Sequence, residues 1–228
     1  MLAAFSTAVR LVAMKQSQLM TIGTVVVVAL ILAAAIIIPR LGGGGGGTAV
    51  AASLDYEAQP VAGSRDAPVK VAVFFDFLCP HCATFSDTVT PVLKREFVED
   101  GTAAIYFYNF PVVDPVRSRA MAIVGECVQQ QGNDGFITIE PILLRSQRTL
   151  STTDRAIELA LQYVPALDAE SLRTCVDDTQ TAQAVDADIA AARELGLTGT
   201  PAVLVNGELV ANPTLANLRS AIQDAAAE

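Results

Sequence analysis

The pattern of apolar and polar positions changes character several times along the chain. From Leu19 to Ile38 it is almost unbroken, with no charge between Lys15 and Arg40. About 20 such residues make a helix of roughly 30 Å, enough to cross a bilayer. Over residues 39–68 the pattern disappears, and six consecutive glycines with scattered small residues offer too little apolar surface to order a chain. VKVAVFFDF, residues 69–77, is a short Val- and Phe-rich run that reads as a buried strand. Phe85, Val89, Val92, Leu93 and Phe97 then recur at helical spacing, with Pro91 inside the run as a kink. TAAIYFYNF, residues 102–110, predicts a second strand closed by Pro111 and the Asp114–Pro115 turn pair.

From about Val116 to Glu194 the period is helical. Val116, Ala120, Ile123, Val124, Cys127 and Val128 form one stripe, Leu172, Cys175 and Val176 belong to another, and Thr153 with Ala156, Leu159, Ala160 and Tyr163 marks a third. Strands return at Ala202–Val205, and Asn206–Gly207 signals a tight hairpin into Glu208–Val210. A closing helix is expected from about Pro213 to Ala226, with Asn212 as N-cap and Pro213 at the first helical position. The predicted order is strand, helix, strand, a block of helices, strand, strand, helix.

Charge sorts these segments by compartment. Arg10 and Lys15 precede the apolar run and Arg40 follows it, so the positive-inside bias favours a cytoplasmic amino terminus. The expected organisation is a cytoplasmic segment at 1–18, a transmembrane anchor at 19–38, a flexible linker at 39–68 and one extracytoplasmic domain at 69–228. In that domain the helical insertion falls at about 115–195. A cleaved signal peptide is the competing reading, but its apolar region is normally about 7 to 15 residues, shorter than this run. A linker of this length spans roughly 30 Å, which would keep the domain near the membrane surface. All 24 acidic residues lie beyond residue 54, against 12 of the 15 Lys and Arg. No basic patch is evident, which argues against nucleic acid as a partner.

The candidate chemistry sits in FLCPHC, residues 77–82, where the chain's one histidine stands between two cysteines. Haem attachment of the c type needs a histidine directly after the second cysteine, and residue 83 is alanine. Zinc needs four ligands, and the remaining cysteines, Cys127 and Cys175, are single residues on apolar helical faces. A purely structural 79–82 disulfide would close too short a ring to stabilise much. A dithiol redox centre fits better. With Cys79 at a helix N-cap and Pro80 at the first helical position, the sulfur lies over free backbone N–H groups, which lowers its pKa and makes it a nucleophile.

FFDFLCPHC at the end of a strand, GTPAVLVNG at residues 199–207 and the helical block between them resemble the DsbA-like thiol:disulfide oxidoreductases of the thioredoxin-fold superfamily. The resemblance covers about residues 69–226 and implies an α/β thioredoxin fold with a helical insertion. It further implies that Cys79 is the attacking and attacked sulfur, that Cys82 resolves, that His81 and Pro80 tune the pair, and that Thr200 and Pro201 hold an extended substrate. With Cys79 and Cys82 as one pair, Cys127 and Cys175 remain. Two buried core thiols is one reading of them; the extracytoplasmic setting and the paired cysteines of some relatives imply a structural disulfide.

The resemblance also implies donation of the 79–82 disulfide to cysteine-containing exported proteins, reoxidation by a quinone-linked membrane partner of the DsbB or VKOR kind, and no tightly bound cofactor. The chain departs from the superfamily at Val73, where a buried acid commonly assists the resolving thiol; Asp76 is the nearer candidate for that task. A reductase or isomerase on the same fold, and a tethered module that only binds clients, are the alternatives.

Overall fold

The computed structural model describes residues 54–228, and the expected anchor at 19–38 lies outside them. Among the described residues no helix is long and apolar enough to cross a membrane. Two seven-residue strands, β2 (Val69–Phe75) and β3 (Ala103–Asn109), pair in parallel with Val71 opposite Ile105. They carry the longest apolar runs because each is long, paired on both sides and covered on both faces. The hairpin β4 (Ala202–Val205) and β5 (Glu208–Leu209) continues the sheet antiparallel beside β2, and β1 (Val61–Ala62) lies antiparallel on the other side of β3. The sheet order is β1-β3-β2-β4-β5. The hairpin turns at Asn206 and Gly207, with φ of 46° and 84°, the left-handed pair that an Asn-Gly turn supplies at low cost.

Alternation along the strands divides the core. Val71, Val73, Phe75, Ile105 and Phe107 face one side, where they pack with α1 (Pro80–Thr88) and the insertion. That insertion comprises α3 (Pro115–Gln131), α4 (Asn133–Arg145), α5 (Thr153–Tyr163), α6 (Ala169–Val176) and α7 (Thr179–Glu194), all between β3 and β4. The closing helix α8 (Leu215–Ala226) sends Leu218 and Ile222 into the same cluster. Phe74, Tyr106, Tyr108 and Leu204 face the other side with Leu54, Val61, Ala67 and Ala192.

This second face corrects the expected linker. Residues 54–68 are folded onto the sheet, because without them an aromatic surface would stand in water. Tyr56 packs edge-on to Tyr106 and Tyr108, with ring centroids 4.8 and 6.2 Å apart. Gln59 donates to Asp188 at 2.9 Å, and Asn133 exchanges two 2.8 Å hydrogen bonds with the backbone of Val61. Arg65 donates to the carbonyls of Tyr56 and Gln59, closing the segment on itself.

Two helix boundaries also differ from expectation. Pro91 does more than kink a helix: α1 ends at Thr88, α2 (Thr90–Leu93) restarts with the proline in its first turn, and a π-helical stretch at Lys94–Val98 follows. The closing helix starts at Leu215, capped by the Thr214 hydroxyl accepting from Asn217 N–H, while Asn212 adopts φ 54° and Pro213 stays outside. A threonine that reaches the third helical N–H displaced the Asn-Pro signal.

Candidate active site

The last paired residue of β2 is Phe75, opposite Asn109, and the chain leaves the sheet at Asp76. Phe77 and Leu78 bury their side chains and fix the turn, and the Cys79 N–H donates to the Asp76 carbonyl at 3.0 Å. Cys79 becomes the N-cap of α1 with extended backbone, φ −82° and ψ 118°, and its side chain makes no capping hydrogen bond. Pro80 takes the first helical position, where its missing N–H costs nothing. The sulfur therefore occupies the place where a capping oxygen would meet the positive end of the helix dipole.

The two thiols are free, buried and coupled. Hydrogen bonding from the Cys82 thiol pulls Cys79 down to about 5, against the opposing effect of burial; the Thr200 hydroxyl and the backbone N–H groups of Cys82 and His81 add to the lowering. Cys82 moves the other way. The hydrogen bond it donates to Cys79, and then its burial, push its thiol well above the ordinary range. One cysteine is thus set to be the thiolate and the other to hold the proton.

Across 121 residues the cis Thr200–Pro201 peptide comes to this centre, and the Cys79 thiol donates to the Thr200 carbonyl at 3.4 Å. The His81 side chain is exposed in the first turn, so its backbone N–H is the part that bears on Cys79. Cys127 and Cys175 are joined to each other, linking α3 and α6 within the insertion.

Asp76 does not take the place of the acid absent at Val73. One carboxylate oxygen accepts from Leu78 N–H at 2.8 Å; the other accepts from Val112 and Val113 N–H, both at 2.8 Å. It clamps the turn before Cys79 to the loop after β3. A second contact escaped the sequence reading: Gln147, in the turn after α4, donates its side-chain amide to the Cys79 carbonyl at 2.7 Å. A partner 68 residues away leaves no local signal, and a lone glutamine in a polar turn is indistinguishable from solvated surface.

A family model described as Thioredoxin matches residues 55–224. The chain is 34% identical over 171 residues to the Bacillus anthracis "Probable disulfide bond formation protein D", which covers 73% of this chain and 78% of that protein. Among solved structures, BdbD from Bacillus subtilis in its oxidised form superposes with a TM-score of 0.68 at 25% identity, over 76% of this chain and 96% of that one. Chlamydia trachomatis DsbA gives 0.66 at 20% identity over 75% and 93%, a likeness of fold alone.

Proposed function

The chain belongs to the thioredoxin family, among its DsbA-like thiol:disulfide oxidoreductases, and from that premise we propose that it gives its Cys79–Cys82 disulfide to exported proteins while tethered to a membrane. The observation that carries this direction is the Cys79 sulfur, drawn down to about 5 by Cys82, Thr200 and the first N–H groups of α1. Whatever stabilises the thiolate stabilises the reduced pair, and a stable reduced pair makes the disulfide easy to give away.

A client thiolate attacks Cys79 Sγ, the bond to Cys82 breaks, and Cys82 leaves as a thiolate that takes up a proton. The client's second thiolate then attacks its own sulfur in the mixed disulfide, and Cys79 leaves as a thiolate. Two electrons have passed from client to enzyme. The low pKa of Cys79 favours this second step, because the better leaving group is the less basic sulfur. The Thr200–Pro201 backbone lies beside Cys79, just before β4, and is placed to pair with a client strand. His81 contributes its backbone N–H, which faces the Cys79 sulfur.

No buried acid at Val73 and an Asp76 committed to three backbone N–H groups fit this direction better than its reverse. A reductase must activate Cys82 to release its own mixed disulfide, whereas in donation the client does the resolving. The apolar run at 19–38 anchors the domain, the domain lies outside the cytoplasm, and a quinone-linked membrane partner of the DsbB or VKOR kind accepts the two electrons. Cys82→Ser should trap cysteine-containing clients as mixed disulfides through Cys79, and Cys79→Ser should trap none. Equal trapping by both variants would reverse the assignment of roles.

A further inference from the structure

Cys79 is an N-cap whose side chain caps nothing, so its peptide must be held in place by other means. A carbonyl oxygen can accept two hydrogen bonds, and that of Cys79 does so: from Ala83 N–H at 3.1 Å, within the helix, and from the Gln147 amide at 2.7 Å, outside it. We propose that Gln147 is a positioning residue for the reactive sulfur, the point at which the helical insertion fixes the Cys79 peptide and so aims Sγ at the N–H groups of His81 and Cys82. The proposal rests on the reading of Cys79 as the reactive cysteine.

Three features make this more than a surface contact. Gln147 rides on a pinned turn: Ser146 N–H donates to the Ile142 and Leu143 carbonyls, Thr149 and Leu150 N–H return to Ser146, and the Leu150 side chain is buried. The backbone that carries the donor is thus already in place, and only the Gln147 side chain itself is ordered in holding Cys79. The same helix meets α1 further along, where Ser86 donates to the buried Glu140 at 3.1 Å and Arg145 pairs with Asp87. Gln147 is the contact of this set that reaches the reactive residue itself.

Pro80 supplies the third feature. It has no N–H, so a thiolate at the N-cap finds its backbone donors only from His81 onward, and a small rotation of the Cys79 peptide carries the sulfur away from them. Gln147 never touches the sulfur. It acts through the carbonyl of the same residue.

The test is Gln147→Met, which keeps the length of the side chain and removes the donor, beside Arg145→Ala, which cuts an exposed ion pair on the same face. Thiolate absorbance should place the Cys79 pKa of Gln147→Met higher by about one unit or more. The glutathione equilibrium should move roughly tenfold toward the disulfide, about 30 mV for two electrons. Arg145→Ala should change neither. If Gln147→Met fails to fold, Gln147→Asn, one methylene short of the carbonyl, carries the same expectation. A wild-type pKa and equilibrium in the folded glutamine variant would overturn the proposal, and so would an equal shift in Arg145→Ala. Both readouts are differences from wild type, so a wild-type potential in the reducing range would sink the donor reading and leave this one standing.

Discussion

At the scale of single residues the pH dependence follows from one sulfur. The Cys79 thiol is lowered in the folded reduced protein to about 5 from an unfolded value of about 8.5. A depressed acid stabilises the folded state above the unfolded pKa, and this is lost as pH falls through the folded value. Only the reduced protein has this thiol. The stability gap between reduced and oxidised protein should therefore favour the reduced form at neutral pH and shrink toward about pH 4, as read from urea unfolding of both forms; a gap independent of pH would contradict the titration. Thr200 contributes through a buried hydroxyl without another partner among the described residues. Thr200→Val, nearly isosteric, should raise the Cys79 pKa by roughly half a unit to one unit in a thiolate titration. The cysteine pair was legible in the sequence because strand, N-cap and Pro80 are all local signals. The uses of Asp76 and Gln147 were not, since each depends on where a distant turn comes to rest.

Among elements, the insertion is held together by the covalent link between α3 and α6. Cys127 and Cys175 are 48 positions apart, and the chain-entropy model assigns such a loop about 4 kcal/mol, toward the upper end because unfolded structure and strain reduce it. Replacing both with alanine should lower the melting temperature by roughly 10 °C for a domain of this size, while the Cys79 pKa stays put. The segment before β2 is the second case. Its small and polar residues read as a tether, yet Tyr56 packs against the rings of both Tyr106 and Tyr108 on β3. Tyr56→Ala should cost about 2 kcal/mol, less than a fully buried aromatic because part of the residue still meets solvent, and should speed limited proteolysis within residues 54–68. Sequence periodicity found the two long strands, the hairpin and the helical block because each carries its own repeat. It missed β1 because two residues have no period, and it misplaced the ends near Pro91 and Pro213 because caps compete over a few residues.

For the molecule as a whole, the sheet brings together what the chain keeps apart. The parallel pairing of β2 with β3 and the antiparallel pairing of β2 with β4 place Cys79 and Thr200 at one end of the sheet, and the insertion then closes over the helix that Cys79 begins. Every group that stabilises the Cys79 thiolate acts on the reduced state only, so fold and chemistry point the same way: toward a disulfide held at a disadvantage and given up to clients. The reduction potential of the 79–82 pair reads this directly. Equilibration with glutathione at neutral pH, with the fraction reduced measured by thiol alkylation, should give a value near about −120 mV, where DsbA lies, and a value near about −270 mV, where thioredoxin lies, would contradict it.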